Sequence, residues 1–401
     1  MLLERFIKYV KVDTMSCEET NTTPSTLKQF DLANILKCEL EELGLIDINI
    51  NEHCILTATL PANCDCNAPT IGFIAHLDTI PGFSGTNVNP QIITNYDGNP
   101  IELKNNIKLD THQFPYMKDL IGKTLITTDG TTVLGADDKA GIAIIMDMLE
   151  HFQTHKEVKH TTIKVAFTPD EEIGGGIDSF DVTKFGADFA YTIDGGAYNE
   201  INYENFNAAS AKVNITGLDI HPGSAKNQMI NAVSIACEFE MMLDQNAKPM
   251  YTEGYEGFNH LCDMSGSVTS ASMDYIIRNH DKQKLEEQKQ SFITIQNKLN
   301  EKYGNNVVEV IIKDSYQNMA ELIKKDPRSV ETAIKAMNSL GINTVTSPIR
   351  GGTDGAKLTL MGLNTPNLGT GGYNCHGPYE FACLEEMQIV VDIIIEIAKI
   401  Q

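Results

Sequence analysis

The sequence predicts an α/β protein in which a mixed, largely parallel sheet is flanked by helices and interrupted by an inserted α+β unit. Two observations support this fold class. In the first half of the 401-residue chain, apolar strand-like segments alternate with helical ones, as in sheets whose strands are buried on both faces. After about residue 205 the order changes to β-α-β-β-α-β, which is the split βαβ arrangement, and the helix–strand alternation then resumes.

The elements of the first half are predicted from the length and apolar character of each segment. An amphipathic helix is expected at the start, in "MLLERFIKYVKVDT", and a helix at 140–152. The polar stretch 81–123 predicts loops that leave the main sheet, with one hairpin. We call this stretch the excursion. Apolar runs of strand length are at 54–60, 70–77, 162–167 and 189–194.

The inserted unit begins with the strand "SAKVNITG", followed by a helix at 228–244 and two strands within 265–279. A helix at 284–304 and the strand "VVEVIIKDS" complete it. Beyond it, a helix at 329–341, a strand at 344–347 and a terminal helix at 383–400 are predicted. The chain is therefore expected to divide into 1–205, an insert at 206–316, and 317–401.

Composition excludes several classes of function. The formal net charge of −23, from 31 basic and 54 acidic residues, argues against nucleic acid or an anionic membrane as partner. No apolar tract is long and uniform enough to span a bilayer, and the start lacks a signal-peptide core. Nine scattered cysteines, with "CDC" as the only close pair, predict free thiols in a reducing cytoplasm.

Histidine and carboxylate side chains follow the predicted strands, at the points where functional groups gather in open α/β sheets. Taken singly, each is more typical of a core histidine, a helix N-cap or a turn. Together they form one set of nitrogen and oxygen ligands. The set comprises His76 and Asp78 after the second strand, Asp137 and Asp138 at the start of a helix, Glu171 and Glu172, Asp194, and His376 in a glycine-rich loop.

Imidazole and carboxylate ligands suit zinc, with cobalt or manganese as substitutes. Five ligands exceed the needs of one tetrahedral ion, so two metals that share a bridging carboxylate are predicted. Hydrolysis of an amide also needs a general base close to the metals, and the doublet Glu171–Glu172 offers one ligand and one base. Asp78 is expected to orient the imidazole of His76 through its other nitrogen.

The segments "HLDT", "LGADDKAGIA", "TPDEEIGGG", "YTIDGG" and "NCHGPYE" resemble the metal-site motifs of the dinuclear zinc aminoacylase/carboxypeptidase-type metallopeptidases. Further phrases, such as "TEGYEGF" and "PIRGGTDG", extend the resemblance over nearly the whole chain. It implies a zinc-peptidase-like catalytic domain, in two parts, with the insert as a ferredoxin-like lid.

The resemblance also implies a role for each ligand. Asp137 would bridge two zinc ions, and the Asp137–Asp138 peptide bond would be cis. Glu171 would be the general base and Asp78 the orienting carboxylate. The implied ligands are His76, Asp137 and Asp194 for one zinc, and Asp137, Glu172 and His376 for the other.

Three residues resemble substrate-binding groups of the family. His221, in "DIHPGSAK", would polarise the scissile carbonyl, from its own chain or from a partner's. Arg278 and Arg350 would bind the terminal carboxylate of a peptide, because a planar guanidinium meets a carboxylate with two hydrogen bonds. The alternatives are a surface charge for Arg278 and an ion pair with Asp354 for Arg350.

The phrases are most similar to those of family members that release the N-terminal residue of tripeptides. The expected substrates are therefore small peptides, and a homodimer is compatible with the resemblance. Dipeptidase, carboxypeptidase and N-acyl-amino-acid amidohydrolase activities on the same site stay open, as does a metal- or peptide-binding protein without catalysis. A phosphohydrolase is disfavoured, because the sequence has no basic cluster dedicated to phosphate.

Overall fold

The protein is described here by a computed structural model that covers residues 1–400 except Cys66. Cys66 belongs to the "CDC" pair, so the prediction for that pair lies outside the described residues. The chain divides into two compact units. The first comprises Met1–Tyr203, Glu321–Ser347 and the described residues from Thr353 onward, and the second comprises Glu204–Ala320 with Pro348–Gly352. The limits 1–205, 206–316 and 317–401 of the three-part division stay a prediction.

The elements alternate along the chain as follows. The part before the second unit contains α1 (Leu2–Val10), α2 (Gln29–Glu42), β1 (Ile46–Ile50), β2 (Leu56–Leu60), β3 (Ile71–His76), β4 (Gln91–Ile93), β5 (Ile101–Glu102), β6 (Lys108–Leu109), β7 (Leu125–Thr127), α3 (Ala136–Thr154), β8 (Ile163–Thr168), α4 (Val182–Phe185), β9 (Phe189–Gly195) and β10 (Ile201–Asn202). Next come β11 (Asn207–Thr216), α5 (Ala232–Met242), β12 (Phe258–Gly266), β13 (Ser270–Asn279), α6 (Lys282–Tyr303) and β14 (Val308–Asp314). The remainder contains α7 (Ala320–Ile323), α8 (Arg328–Ser339), α9 (Asp354–Leu360), β15 (Asn367–Gly369), β16 (Gly372–Tyr373), β17 (Phe381–Cys383) and α10 (Leu384–Ala398).

A seven-stranded mixed sheet forms the centre of the first unit, in the order β1-β2-β8-β3-β9-β15-β10. The central strands β8, β3, β9 and β15 are parallel, and the outer pairs are antiparallel. Every residue of β3 is buried, as expected for a strand covered on both faces. The predicted mixed, largely parallel sheet is confirmed, with its parallel strands grouped in the middle.

The register brings chemically reactive residues to one edge of this sheet. His76, the last residue of β3, pairs with Thr168 at the end of β8. On the other side Ile74 pairs with Thr192 of β9, so Asp194 is level with His76. Because these strands are parallel, the loops that follow them start from the same edge.

Helix α3 packs closely on β9 because it carries a glycine at the contact. A Cβ atom on Gly141 would lie 1.9 Å from the carbonyl oxygen of Ile193 and 2.4 Å from Oδ1 of Asp138. Only glycine allows this approach. The contact sets the distance between the first turn of α3, which contains Asp137, and the end of β9, which contains Asp194.

The stretch 81–123 forms the predicted hairpin, β5 with β6, and also contributes to a second sheet. This sheet has the order β16-β17-β7-β4, so it joins the excursion to the C-terminal part of the chain. A separate apolar core, which includes Tyr96, Met117 and Phe381, lies beneath it. The excursion is therefore a packed structure and not a set of loops.

The second unit has the predicted β-α-β-β-α-β order. Its antiparallel sheet has the order β12-β13-β11-β14, and α5 and α6 pack on it through buried residues such as Phe239 and Phe292. The fold class, an α/β domain with an inserted α+β unit, is confirmed.

The strand predicted at 344–347 is wrong. Val345 makes only an isolated bridge with Glu200. Side-chain amides take the place of a ladder, since Asn199 donates to the carbonyl of Asn343 and Asn202 to that of Ser347. None of the described helices combines the length and hydrophobicity that a membrane span requires.

We predict that Gly141→Ala lowers the free energy of unfolding by at least about 2 kcal/mol, because the new methyl group must displace backbone atoms of β9. Urea unfolding of the variant and the wild type measures the difference. Gly82→Ala is the matched control, since the nearest atom to a Cβ there is 4.0 Å away. Equal stability of the two variants would contradict the close α3–β9 contact.

Candidate metal centre

Five of the predicted residues converge at the edge of the seven-stranded sheet, each from a different element. His76 ends β3, Asp194 lies in β9, and Asp137 is in the first turn of α3. Glu172 follows β8, and His376 lies between β16 and β17. His376 has φ of 72°, a left-handed conformation that residues other than glycine adopt mainly where the surrounding structure imposes it.

The carboxylate of Asp137 lies at the centre of the cluster. Its Oδ1 is 2.9 Å from Nε2 of His76, and its Oδ2 is 3.2 Å from Nε2 of His376. Asp194 approaches the same His76 nitrogen at 3.5 Å, and Glu172 approaches Nε2 of His376 at 3.0 Å. Asp137 therefore belongs to two groups of three, one through each oxygen.

Both groups have the dimensions of a metal site. The ligand atoms of His76, Asp137 and Asp194 all lie within 4.8 Å of one another, and so do those of Asp137, Glu172 and His376. Each group offers one imidazole nitrogen and two carboxylates, a donor set that suits zinc and related divalent ions. The residues therefore fit a pair of metal ions with Asp137 as the shared ligand. The Asp137–Asp138 peptide bond is cis, as the resemblance implied.

The crowding of charges shifts the pKa values in the cluster. Burial, together with the charge of Asp137, raises the pKa of Asp194 to about 7. Hydrogen bonds with Asp137 and Glu172 raise the pKa of His376 to about 10. Although burial opposes it, hydrogen bonds with both histidines hold the pKa of Asp137 well below its usual range. Positive charge in the cluster thus keeps Asp137 ionised.

Asp78 is fully buried and holds two functional residues at once. Its Oδ1 is 3.3 Å from Nδ1 of His76, and its carbonyl oxygen is 3.1 Å from the same nitrogen. The carboxylate also accepts hydrogen bonds from the backbone amides of Glu171, at 3.0 Å, and Glu172, at 3.3 Å. Sequence reasoning assigned Asp78 to His76 alone and missed its contact with the glutamate doublet.

The two glutamates of the doublet have different surroundings. Glu172 pairs with His376. The carboxylate of Glu171 makes no hydrogen bond or ion pair with the described residues, although it lies in the field of Asp194 and His76. Burial, together with the charge of Asp194, raises the pKa of Glu171 above its usual value. One carboxylate is thus engaged at the ligand cluster and the other is free beside it.

Glu380 is a buried carboxylate that sequence reasoning did not assign. Its Oε2 accepts the amides of Leu134 and Gly135, at 2.6 and 2.8 Å, and its Oε1 accepts the amide of Asp137 at 3.0 Å. It thereby joins the loop of His376 to the loop of Asp137. Its position four residues after His376, at the end of "NCHGPYE", was the available signal.

Two further buried aspartates fix the surroundings of the cluster. Asp138 accepts hydrogen bonds from the amides of His76 and Gly141. Asp170, directly before the glutamate doublet, accepts hydrogen bonds from the amide of Ser25 and from the side chain of Gln29. Asp138 was read from the sequence as a helix N-cap candidate and Asp170 was not assigned, yet each connects segments that are distant along the chain.

The predicted substrate-binding residues lie in the second unit. The ring of His221 is exposed, and its Nδ1 accepts a hydrogen bond from the amide of Gly223. Arg278 donates through Nη1 to the carbonyls of Ala209 and Ile277, and its guanidinium lies over the ring of Tyr316.

Arg350 is more heavily engaged than Arg278. Its two terminal nitrogens donate to the carbonyls of Thr252, Gly254 and Glu256 and to the hydroxyl of Thr252. Asp354, the alternative partner offered by the sequence, accepts a hydrogen bond from the hydroxyl of Thr168.

The chain is similar to known proteins in both sequence and structure. Residues 133–400 match the family described as peptidase family M20/M25/M40. Peptidase T of Caldanaerobacter subterraneus subsp. tengcongensis is 53% identical over 401 residues, which are 100% of this chain and 98% of that protein. Peptidase T of Clostridium perfringens is 53% identical over 397 residues, 99% of this chain and 98% of that protein.

Solved structures share the fold at lower identity. A tripeptidase from Staphylococcus aureus has a TM-score of 0.79 and 22% identity, over 99% of this chain and 96% of that one. A dinuclear metal-binding peptidase of family M20 from Bacillus subtilis has a TM-score of 0.66 and 15% identity, over 99% of this chain and 96% of that one. The match over residues 133–400 and the full-length relatives lead to one conclusion: the chain belongs to peptidase family M20/M25/M40.

Proposed function

We propose that the protein is a two-zinc aminopeptidase that releases the N-terminal residue of tripeptides. The proposal rests mainly on the carboxylate of Glu171, which makes no hydrogen bond or ion pair with the described residues and lies in the field of two candidate ligand groups that share Asp137. A protein that only binds metal has no use for such a group, whereas peptide hydrolysis needs a base near the metals.

A pair of divalent ions held by the two ligand groups would supply Lewis acidity toward the scissile carbonyl and would lower the pKa of the attacking water. Glu171 accepts the proton of that water and returns it to the nitrogen of the leaving dipeptide, so that the amine departs neutral. Asp78 prepares Glu171 for this role, because its carboxylate fixes the amides of Glu171 and Glu172 in one orientation. The base and its neighbouring ligand therefore keep a constant separation.

Asp78 has a second role, at His76. The contact with Nδ1 fixes the ring so that Nε2 faces Asp137 and Asp194. Metal-ligating histidines are commonly held in this way, which sets the tautomer and the ring orientation. Loss of the Asp78 carboxylate would thus disturb a ligand and the base together.

Recognition of the C-terminal carboxylate is assigned to Arg278, with Arg350 in support. Arg278 is half-buried and donates through Nη1 to two backbone carbonyls, and its planar guanidinium has further N–H groups with which it could meet a carboxylate. Both terminal nitrogens of Arg350 donate hydrogen bonds to the loop from Thr252 to Glu256. Arg350 would therefore stabilise that loop more than it would bind the peptide. We propose that His221 stabilises the negative charge that develops on the scissile carbonyl oxygen.

The tripeptide preference is supported by the relatives, which include proteins named peptidase T and a structurally similar tripeptidase. Zinc is the proposed metal because each ligand group pairs an imidazole with two carboxylates.

We also place the protein in the cytoplasm. Among the described residues, cysteines with free thiols occur from the N-terminal segment to β17, which fits a reducing compartment. They are Cys17, Cys38, Cys54, Cys237, Cys262, Cys375 and Cys383.

Glu171→Gln is expected to lower kcat roughly 1000-fold while two metal ions per chain are retained, because glutamine cannot accept the proton of the water. Steady-state kinetics and elemental analysis of the same sample measure the two effects. Glu157→Gln removes an exposed carboxylate and serves as the control. A Glu171→Gln variant with the rate of the wild type would exclude Glu171 as the base.

A substrate panel separates the proposed activity from the alternatives. We expect Leu-Gly-Ala to be cleaved to leucine and Gly-Ala at a kcat/KM at least about tenfold above those of Ala-Ala and N-acetylalanine. Amidation of its C-terminus should lower kcat/KM by about tenfold or more, because the carboxylate contact is lost. Release of C-terminal alanine would indicate a carboxypeptidase, and preference for Ala-Ala or N-acetylalanine a dipeptidase or an amidohydrolase.

A further inference from the structure

Four aromatic side chains form a continuous surface beside the loop of His376. Phe114 and Tyr116 come from the excursion at 81–123, and Tyr373 and Tyr379 flank His376 in the chain. Tyr116 stacks on Tyr373 with ring centroids 5.4 Å apart, and Phe114 meets Tyr379 edge-on at 5.5 Å. We call these four residues the aromatic wall.

The aromatic wall lies at the open side of the ligand cluster. The side chain of His76 is 2% exposed and that of Glu172 is 5% exposed, whereas that of His376 is 46% exposed. A peptide must therefore reach the cluster from the side of His376. Tyr116 reaches this side directly, since its hydroxyl donates a hydrogen bond to the side chain of Asn374, two residues before His376.

Tyr116 presents one face to the protein and leaves the other accessible. Its ring is stacked on Tyr373 and its hydroxyl is bonded, yet the residue is 38% exposed. Such a ring is held in place at little entropic cost and offers apolar area to a ligand. The fold therefore fixes an aromatic surface at the entrance to the cluster for which the proposed chemistry has no other use.

We propose that Tyr116 determines specificity by forming the subsite for the side chain of the N-terminal residue of the substrate. This inference rests on the proposed aminopeptidase function. The side chain of that residue branches from the atom bonded to the scissile carbonyl, so it stays next to the metals. Aliphatic and aromatic side chains would gain most from contact with the open face of Tyr116.

The test compares Tyr116→Ala with the wild type on Gly-Ala-Ala, Ala-Ala-Ala, Leu-Ala-Ala and Phe-Ala-Ala. We expect kcat/KM for the leucine and phenylalanine peptides to fall about tenfold, while that for Gly-Ala-Ala changes less than twofold. Ala-Ala-Leu, which carries the large side chain at the other end, should behave like Ala-Ala-Ala. Tyr116→Phe keeps the ring and should keep the wild-type order of preference.

Ile121→Ala is the matched control. Ile121 is exposed and belongs to the same excursion, where its side chain lies against Gly98. The Ile121→Ala variant should leave the kcat/KM values of the four tripeptides that differ in their N-terminal residue unchanged. Tyr116→Leu fills part of the same space and provides a second test if the alanine variant is poorly folded. Its kcat/KM should fall less for the leucine peptide than for the phenylalanine peptide.

The outcomes distinguish this inference from the proposed function. A wild type that cleaves none of the tripeptides would refute the aminopeptidase itself. A wild type that cleaves them, with Tyr116→Ala lowering kcat/KM equally for all four, would show that Tyr116 only supports the loop of His376. An effect confined to Ala-Ala-Leu would likewise overturn the subsite.

Discussion

Asp137 directs one carboxylate oxygen at His76 and the other at His376, and the remaining ligand candidates are arranged around that division. Asp194 completes one group and Glu172 the other. These side chains come from separate strands and loops, so they meet only because parallel strands end at a common edge and α3 starts there. The close contact at Gly141 sets the distance between the first turn of α3 and the end of β9. The geometry of the candidate two-metal site thus depends on where the carboxylate of Asp137 is held.

Buried carboxylates that accept backbone amides hold the cluster in place. Asp78 binds the amides of Glu171 and Glu172, Glu380 binds that of Asp137, and Asp138 binds that of His76. A buried charge is costly unless it is paired or hydrogen-bonded, and these amides provide the needed donors. The same bonds fix the backbone from which the candidate ligands and the proposed base project, so these buried carboxylates help to set the orientation of the candidate centre.

The sequence predicted the parts of the site that follow strands, because strand ends are visible as breaks in apolar runs. It did not predict the partners of Glu380, which are 243 to 246 positions away in the chain. Nor did it predict the second sheet, which includes β4 of the excursion and whose strands are too short for a periodic pattern. The sequence also did not predict the hydrogen-bond partners of Arg350 in the loop from Thr252 to Glu256, which are 94 to 98 positions away in the chain.

We propose that Asp137 is shared by two divalent ions. Anomalous diffraction at the zinc edge, from crystals grown with zinc, tests it most directly. We predict two peaks about 3.5–4 Å apart, each about 2.0–2.2 Å from a different oxygen of Asp137, with His76 and His376 on opposite ions. A single peak, or two peaks of which only one contacts Asp137, would contradict the account.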